Sequence, residues 1–244
     1  MTGSRLDVFL VQSGQFETRA RSREAILAGR VSVDGKVVRK PSFRISHGMS
    51  VESEALHPYV SRAALKLKGA LETFEVSVSG KTCLDIGAST GGFVEVLLEA
   101  SAKHVIAVDV GKAQLHEKLK RDPRVLSLEQ QDARDLDADQ FSEAPAIITC
   151  DASFIGLAKI IERPLALSAP SSDLIALFKP QFEVGPAHVG KGGLVKDNAA
   201  IAAALEVFKA WLDTQTDFHF VAQKDSPITG GDGNREWLIH ARKS

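Results

Sequence analysis

Residues 82–93, Thr-Cys-Leu-Asp-Ile-Gly-Ala-Ser-Thr-Gly-Gly-Phe, constrain the fold more than any other stretch of the chain. Thr82 to Ile86 reads as a short buried strand bounded by Gly80 and Gly87. Gly87, Gly91 and Gly92 make a turn, and an amphipathic helix starts at Phe93. A strand, a glycine turn and a helix in that order open a βαβ unit, which predicts an α/β protein with a doubly wound sheet. Such a turn also suits a ligand, because glycine lets it approach the backbone.

The spacing discriminates between ligands. A dinucleotide fingerprint requires Gly-x-Gly-x-x-Gly, and Ser89 occupies the middle glycine position here. Asp85 is expected at the strand's end with its carboxylate directed into the pocket. A carboxylate is a poor neighbour for a pyrophosphate and a good one for a cation. S-adenosylmethionine meets that requirement, since it carries a sulfonium and an amino group and no phosphate. On this reading Asp85, Gly87, Ser89, Gly91, Gly92 and Phe93 form the cofactor turn. A tight turn with no ligand is the alternative reading of the turn by itself. Asp109 ends the next strand, His104 to Asp109, 22 residues after Gly87. An acidic residue there hydrogen-bonds ribose hydroxyls in doubly wound nucleotide folds. A third strand from Arg124 ends near Asp132. Acidic residues at three successive strand ends would line one crevice.

The length of 244 residues allows one large domain and a small one. Net charge is −1, yet residues 1–70 carry +6 and the remainder −7. A basic front end on an acidic body predicts a local polyanion-binding surface. Cys83 and Cys150 lie inside apolar runs and match neither a disulfide framework nor a zinc spacing, so no metal is expected. The amino terminus does not read as a signal peptide, and no apolar run reaches about 18 residues. The expected setting is cytoplasmic, away from membranes.

The basic front end has its own pattern. Residues 4–13 predict a helix stopped by Gly14, with Leu6, Phe9 and Leu10 on its apolar side. Thr18 is placed to cap a second helix that carries Arg19, Arg21 and Arg23. Asp34-Gly35 between alternating apolar residues signals a hairpin. Arg5-Leu-Asp, Thr18-Arg-Ala-Arg-Ser, Gly29-Arg-Val and Val33-Asp-Gly together resemble the S4 RNA-binding domain over residues 4–52. That resemblance implies RNA held through shape and phosphate contacts. Arg5, Arg19, Arg21, Arg23 and Arg30 are the candidate RNA contacts, since a guanidinium grips phosphate with a fork of donors.

Glu54 to Pro58 reads as a linker, dividing residues 1–58 from 59–244. A helix follows from Tyr59 to Phe74, which Ser61 can cap. Lys66 lies off the centre of its apolar stripe and alone reads as a surface lysine. Ala146 to Asp151 is a fourth strand, with Ser153-Phe154 beyond it. A fifth begins at Asp173 and ends at Lys179-Pro180, where a charge closing an apolar run is costly unless paired or used. Gly185 to Lys196 reads as a mobile loop near the site. The last two strands, Phe218 to Ser226 and Glu236 to Ala241, suit an antiparallel pair.

Tyr59-Val-Ser-Arg…Lys66, Leu84-Asp-Ile-Gly…Gly91-Gly-Phe, Asp151-Ala-Ser-Phe-Ile, Lys179-Pro-Gln-Phe-Glu and Gly233-Asn…Glu236 strongly resemble the TlyA family. These are ribosomal RNA ribose methyltransferases with an S4 domain and an FtsJ-like domain, historically named haemolysins. The resemblance implies a Rossmann-like S-adenosylmethionine-dependent methyltransferase acting on ribosomal RNA, cytidine by analogy, within ribosomal subunits. It also implies a catalytic set of Lys66, Asp151, Lys179 and Glu236; within that set Lys179, flanked by a second lysine and partly desolvated, is the candidate base. Three other classes stay open at this point: an RNA-binding assembly factor with an inactive methyltransferase fold, a membrane-active haemolysin, and an S4-containing pseudouridine synthase. Intact catalytic positions, the lack of a membrane signal and the Asp85 glycine pocket argue against them in turn.

Overall fold

The computed structural model describes residues 3–215 and 217–244, and divides into two units, Met1–Tyr59 and Val60–Ser244.

The first unit is built from β1 (Ser4–Arg5), α1 (Leu6–Gln12), α2 (Arg19–Leu27), β2 (Val31–Val33), β3 (Lys36–Val37), β4 (Arg44–Ile45) and β5 (Val51–Ser53). β2 is the central strand of a three-stranded antiparallel sheet, between β3 and β5. Asp34 and Gly35 take φ of 49° and 73°, the left-handed pair a two-residue hairpin requires. Thr18 caps α2 by accepting the Arg21 amide at 3.3 Å. Leu6, Leu10, Ile26 and Val31 fill the core. The helix expected over 4–13 begins later, because Ser4 and Arg5 pair with Ile45 and Arg44 as a short antiparallel ladder.

The second unit opens with α3 (Ala63–Phe74). It continues through β6 (Thr82–Ile86), α4 (Gly92–Glu99), β7 (His104–Asp109), α5 (Glu117–Lys120), β8 (Val125–Glu129), β9 (Ile147–Cys150), α6 (Leu157–Ala166), β10 (Asp173–Phe178), α7 (Asn198–Leu212), β11 (Phe218–Asp225) and β12 (Trp237–Lys243). The seven strands form one sheet in the order β11-β12-β10-β9-β6-β7-β8. β8 through β10 run parallel, and β12 inserts antiparallel between β10 and β11. The chain moves outward from β6 to β8 and then returns to β9 on the other side of β6. That reversal is the switch point where open α/β sheets form a crevice at their carboxyl edge. Ile86, Ile148, Leu174 and Phe178 pack the interior with Ile161, Leu205 and Phe208 of the covering helices.

Candidate active site and nucleic-acid surface

Two clefts open along the carboxyl edge of the sheet. The smaller, about 450 Å³, is bordered by Asp109, Val110, Gln114, Asp132, Ile155 and Ile160. The larger, about 650 Å³, is bordered by Lys66, Lys179, Glu236, Phe93, Phe154 and Phe182. Gly87, Ser89, Asp151, Ser153 and Phe154 border both, so they mark the junction.

The glycine turn is shaped by close approach. Gly87 has φ of 77°, and a Cβ on it would lie 2.9 Å from the Ala152 Cα. Gly91, at φ of 98°, is the residue before α4. A Cβ on Gly92 would lie 2.9 Å from the Ala64 amide nitrogen of α3. Asp109 anchors this turn: one carboxylate oxygen accepts the Ser89 amide at 2.8 Å and the other the Gly111 amide at 2.7 Å. Asp132 is held by Arg134 at 2.6 Å, which keeps its carboxyl below the usual carboxylate range. Asp109 and Asp132 thus border the smaller cleft, as their strand-end positions predict.

Asp85 departs from expectation. The β6 strand is buried on both faces, so this carboxylate lies inside the sheet rather than in a cleft. Its Oδ1 accepts the Thr149 hydroxyl at 2.7 Å, while Oδ2 is buried with no hydrogen-bond partner. Burial pushes its pKa up to about 7.

Lys66, Asp151, Lys179 and Glu236 converge. Lys66 Nζ lies 2.6 Å from Glu236 Oε2 and 3.5 Å from Asp151 Oδ2, and Lys179 Nζ lies 2.6 Å from Asp151 Oδ1. Charges of opposite sign alternate along this chain, so each buried ammonium faces a carboxylate. Lys66 is 6% exposed, not the surface lysine its helical position suggests, because Glu236 and Asp151 supply partners from far along the chain. Lys179 also donates to the Asp151 carbonyl and to Ser153 Oγ, both at 3.0 Å.

Other residues at the clefts carried no role in the sequence reading. Phe154 is 91% exposed, at φ of 67°, and its ring sits 5.4 Å from that of Phe182. Gln181 donates to Asp232 at 3.0 Å across the rim of the larger cleft. The 185–196 loop, expected to be mobile, is tied down by buried Asn234. That side chain donates to the Gly193 carbonyl and accepts the Val195 amide, both at 2.9 Å. An aromatic residue just past a strand-end aspartate was the available signal for Phe154; Asn234 stood in the Gly233-Asn…Glu236 stretch, which did not show that its side chain reaches the 185–196 loop. Cys83 and Cys150 are buried, and burial pushes both thiols up to about 12.

In the amino-terminal unit one carboxylate organises the arginines. Asp7 is fully buried and is paired with Arg5 at 2.9 Å, Arg19 at 2.9 Å and Arg23 at 3.9 Å. The hydrogen bond from Arg5, then that from Arg19, hold its carboxyl well below the usual carboxylate range against the penalty of burial. Arg19 and Arg23 remain about half exposed, with donors left over. Arg21 bonds to Glu17 and to the His57 carbonyl, and Arg30 pairs with Glu54 at 2.9 Å. These two are more committed within the unit than a free basic face would require.

The described residues contain no group of three or more His, Cys, Asp or Glu side chains fit to hold a metal ion. Among them, too, no helix is long and apolar enough to cross a membrane.

The FtsJ-like methyltransferase family matches residues 59–243, and the S4 domain matches residues 4–51. The chain is 40% identical over 241 residues to the 16S/23S rRNA (cytidine-2′-O)-methyltransferase TlyA of Mycobacterium tuberculosis, covering 98% of this chain and 90% of that one. It is 39% identical over 238 residues to Hemolysin A of Brachyspira hyodysenteriae, covering 97% and 98%. A solved structure from Streptococcus thermophilus, given a hemolysin name, superposes with a TM-score of 0.78 at 38% identity, over 100% of this chain and 90% of that one. A methyltransferase fold carrying an S4 domain, matched over nearly its full length by such relatives, places this chain in the TlyA family of FtsJ-like methyltransferases.

Proposed function

We propose that this protein transfers a methyl group from S-adenosylmethionine to a ribose 2′-hydroxyl of ribosomal RNA, at cytidine, within ribosomal subunits of the cytoplasm. The observation that carries the proposal is the Lys66–Asp151–Lys179 arrangement, completed by Glu236, beside the junction of two clefts. The TlyA relatives from Mycobacterium tuberculosis and Campylobacter jejuni bear rRNA (cytidine-2′-O)-methyltransferase names, and these support the substrate class.

The smaller cleft fits the cofactor by its chemistry. Asp109, Asp132 and Asp151 border it, and no lysine or arginine does. A phosphate-bearing dinucleotide would meet three carboxylates there, whereas a sulfonium and an amino group meet complementary charge. Asp109 and Asp132 would hold the ribose and base side of the cofactor, with Val110 and Ile155 as apolar walls. When bound, S-adenosylmethionine supplies an electrophilic methyl group at the junction.

A 2′-hydroxyl is a weak nucleophile until its proton leaves. Lys179 takes that proton in its neutral form. Asp151 holds Lys179 and Lys66 in fixed relation, and Glu236 fixes Lys66. The remaining work is alignment, because an in-line displacement depends on near-attack geometry. Phe154, open to both clefts, offers a face on which an unstacked base can rest, with Phe182 behind it. The S4 unit presents Arg5, Arg19 and Arg23 to the phosphate backbone.

Mass-spectrometric mapping of ribose methylation on ribosomal subunits, incubated with and without the purified protein and cofactor, tests the proposal. A new 2′-O-methylcytidine is expected. Unaltered RNA, with the protein folded and bound to subunits, would overturn it.

A further inference from the structure

We infer that Ser153 is a positioning residue for Lys179, fixing where the amine lone pair points when Lys179 is neutral. Ser153 has this role only if Lys179 is the base, as proposed above.

Lys179 Nζ makes two hydrogen bonds, to the Asp151 carbonyl and to Ser153 Oγ, each at 3.0 Å. Its contact with Asp151 Oδ1, at 2.6 Å, is an ion pair outside hydrogen-bond geometry. An ammonium has three N–H donors. A neutral amine keeps two and gains a lone pair in the third tetrahedral position. On deprotonation one donor becomes the lone pair, and these two hydrogen bonds can occupy both donors that remain, with the Asp151 carboxylate beside them. With both occupied, the amine cannot spin about its Cε–Nζ bond, and the lone pair is confined to the one remaining direction.

The two acceptors are placed differently. The Asp151 carbonyl belongs to the backbone just past β9 and cannot be altered by side-chain change. Ser153 is exposed and borders both clefts, so its hydroxyl is the adjustable partner and stands where donor and acceptor must meet. Phe154, held at φ of 67°, follows immediately, so one turn carries both the lysine's partner and the exposed ring. Without the hydroxyl, one N–H of neutral Lys179 has no partner, and the lone pair samples unproductive directions.

The test combines kinetics with a readout on the protein free of cofactor. Ser153→Ala is expected to lower the single-turnover methylation rate of ribosomal subunits by about 10- to 100-fold. The subunit KM and the calorimetric affinity for S-adenosylhomocysteine are expected to stay within about twofold. Ser153→Thr, which restores the hydroxyl, should recover most of the rate. In lysine-labelled ¹⁵N NMR of the protein alone, the Lys179 Nζ signal should show slowed proton exchange in the parent and in Ser153→Thr, and lose it in Ser153→Ala. A Ser153→Ala rate equal to the parent's, or a slow variant that keeps the protected Nζ signal, would overturn the assignment. Lys179→Ala separates the two levels. If it still methylates, the base reading fails. If it is inactive while Ser153→Ala is unaffected, only the role of Ser153 fails.

Discussion

Lys66 Nζ and Glu236 Oε2 lie 2.6 Å apart, and both side chains are buried. Removing one partner leaves a buried charge behind. Glu236→Ala is therefore expected to lower unfolding free energy by about 3–5 kcal/mol. Urea denaturation of the parent and the variant measures this, and Glu236→Gln should fall between them. A Glu236→Ala protein as stable as the parent would show that Asp151, at 3.5 Å, suffices for Lys66.

Lys179→Ala should abolish methyl transfer while S-adenosylhomocysteine and subunits still bind. Lys179→Arg should fail nearly as badly, because a guanidinium keeps the charge but stays protonated. Single-turnover methylation at several pH values, with binding followed separately, gives the answer. An arginine variant near the parental rate would leave Lys179 as a positioning charge only.

Asp109→Ala should weaken cofactor binding by about 5- to 150-fold, the loss of one or two hydrogen bonds at about 1–3 kcal/mol in all. Part of that loss comes from the turn itself, since Asp109 accepts the Ser89 and Gly111 amides. Calorimetry with S-adenosylhomocysteine measures the loss, and amide exchange at Ser89 and Gly111 reports the loosened turn. Unchanged affinity in a folded variant would take Asp109 out of the site.

Replacing Arg19, Arg21 and Arg23 together should weaken RNA binding and flatten its salt dependence. Asp7→Ala makes a sharper case. It removes one negative charge from the unit, so charge counting alone predicts tighter RNA binding. Since Arg5, Arg19 and Arg23 all converge on this carboxylate, the variant should instead bind RNA more weakly. Titration of an rRNA fragment at several salt concentrations decides between the two signs.

Asp85 gives the protein a pH dependence whose sign is fixed. Its carboxyl, near 3.8 when unfolded, is pushed up to about 7 by burial, so the native state binds a proton that the unfolded chain has lost. Its contribution is full below about pH 4 and fades as pH rises through about 7. Asp85→Asn keeps an acceptor for Thr149 and carries no charge. Its melting temperature should exceed the parent's at pH 8 and approach it at pH 5. Parallel melting curves across that range would contradict the burial of an ionisable Asp85.

Local pattern accounts for what was legible in the sequence. β6, its glycine turn and α4 share one short stretch, and the Asp34-Gly35 hairpin needs only its flanking alternation. The unread features depend on distant partners. Ser4 and Arg5 become a strand because Arg44 and Ile45 arrive beside them. Lys66 is buried because Glu236 waits there, and the 185–196 loop is tied down because Asn234 reaches it. Asp85 was misplaced for a different reason: a strand buried on both faces turns every side chain inward, so a strand-end carboxylate need not reach the crevice.

The contact between Gly92 and Ala64 has a consequence for how such an enzyme could change. α4 starts at the glycine turn and α3 carries Lys66, and at Gly92 the two helices meet with no room for even one methyl group. They are geared together like two cogs without backlash. A designer seeking a roomier pocket by swelling residue 92 would also push Lys66 away from Asp151 and Glu236. A designer shifting α3 to admit a different acceptor would disturb the glycine turn proposed to hold the methyl donor. Donor and acceptor specificity therefore have to be altered together in this scaffold, through paired substitutions across that helix contact.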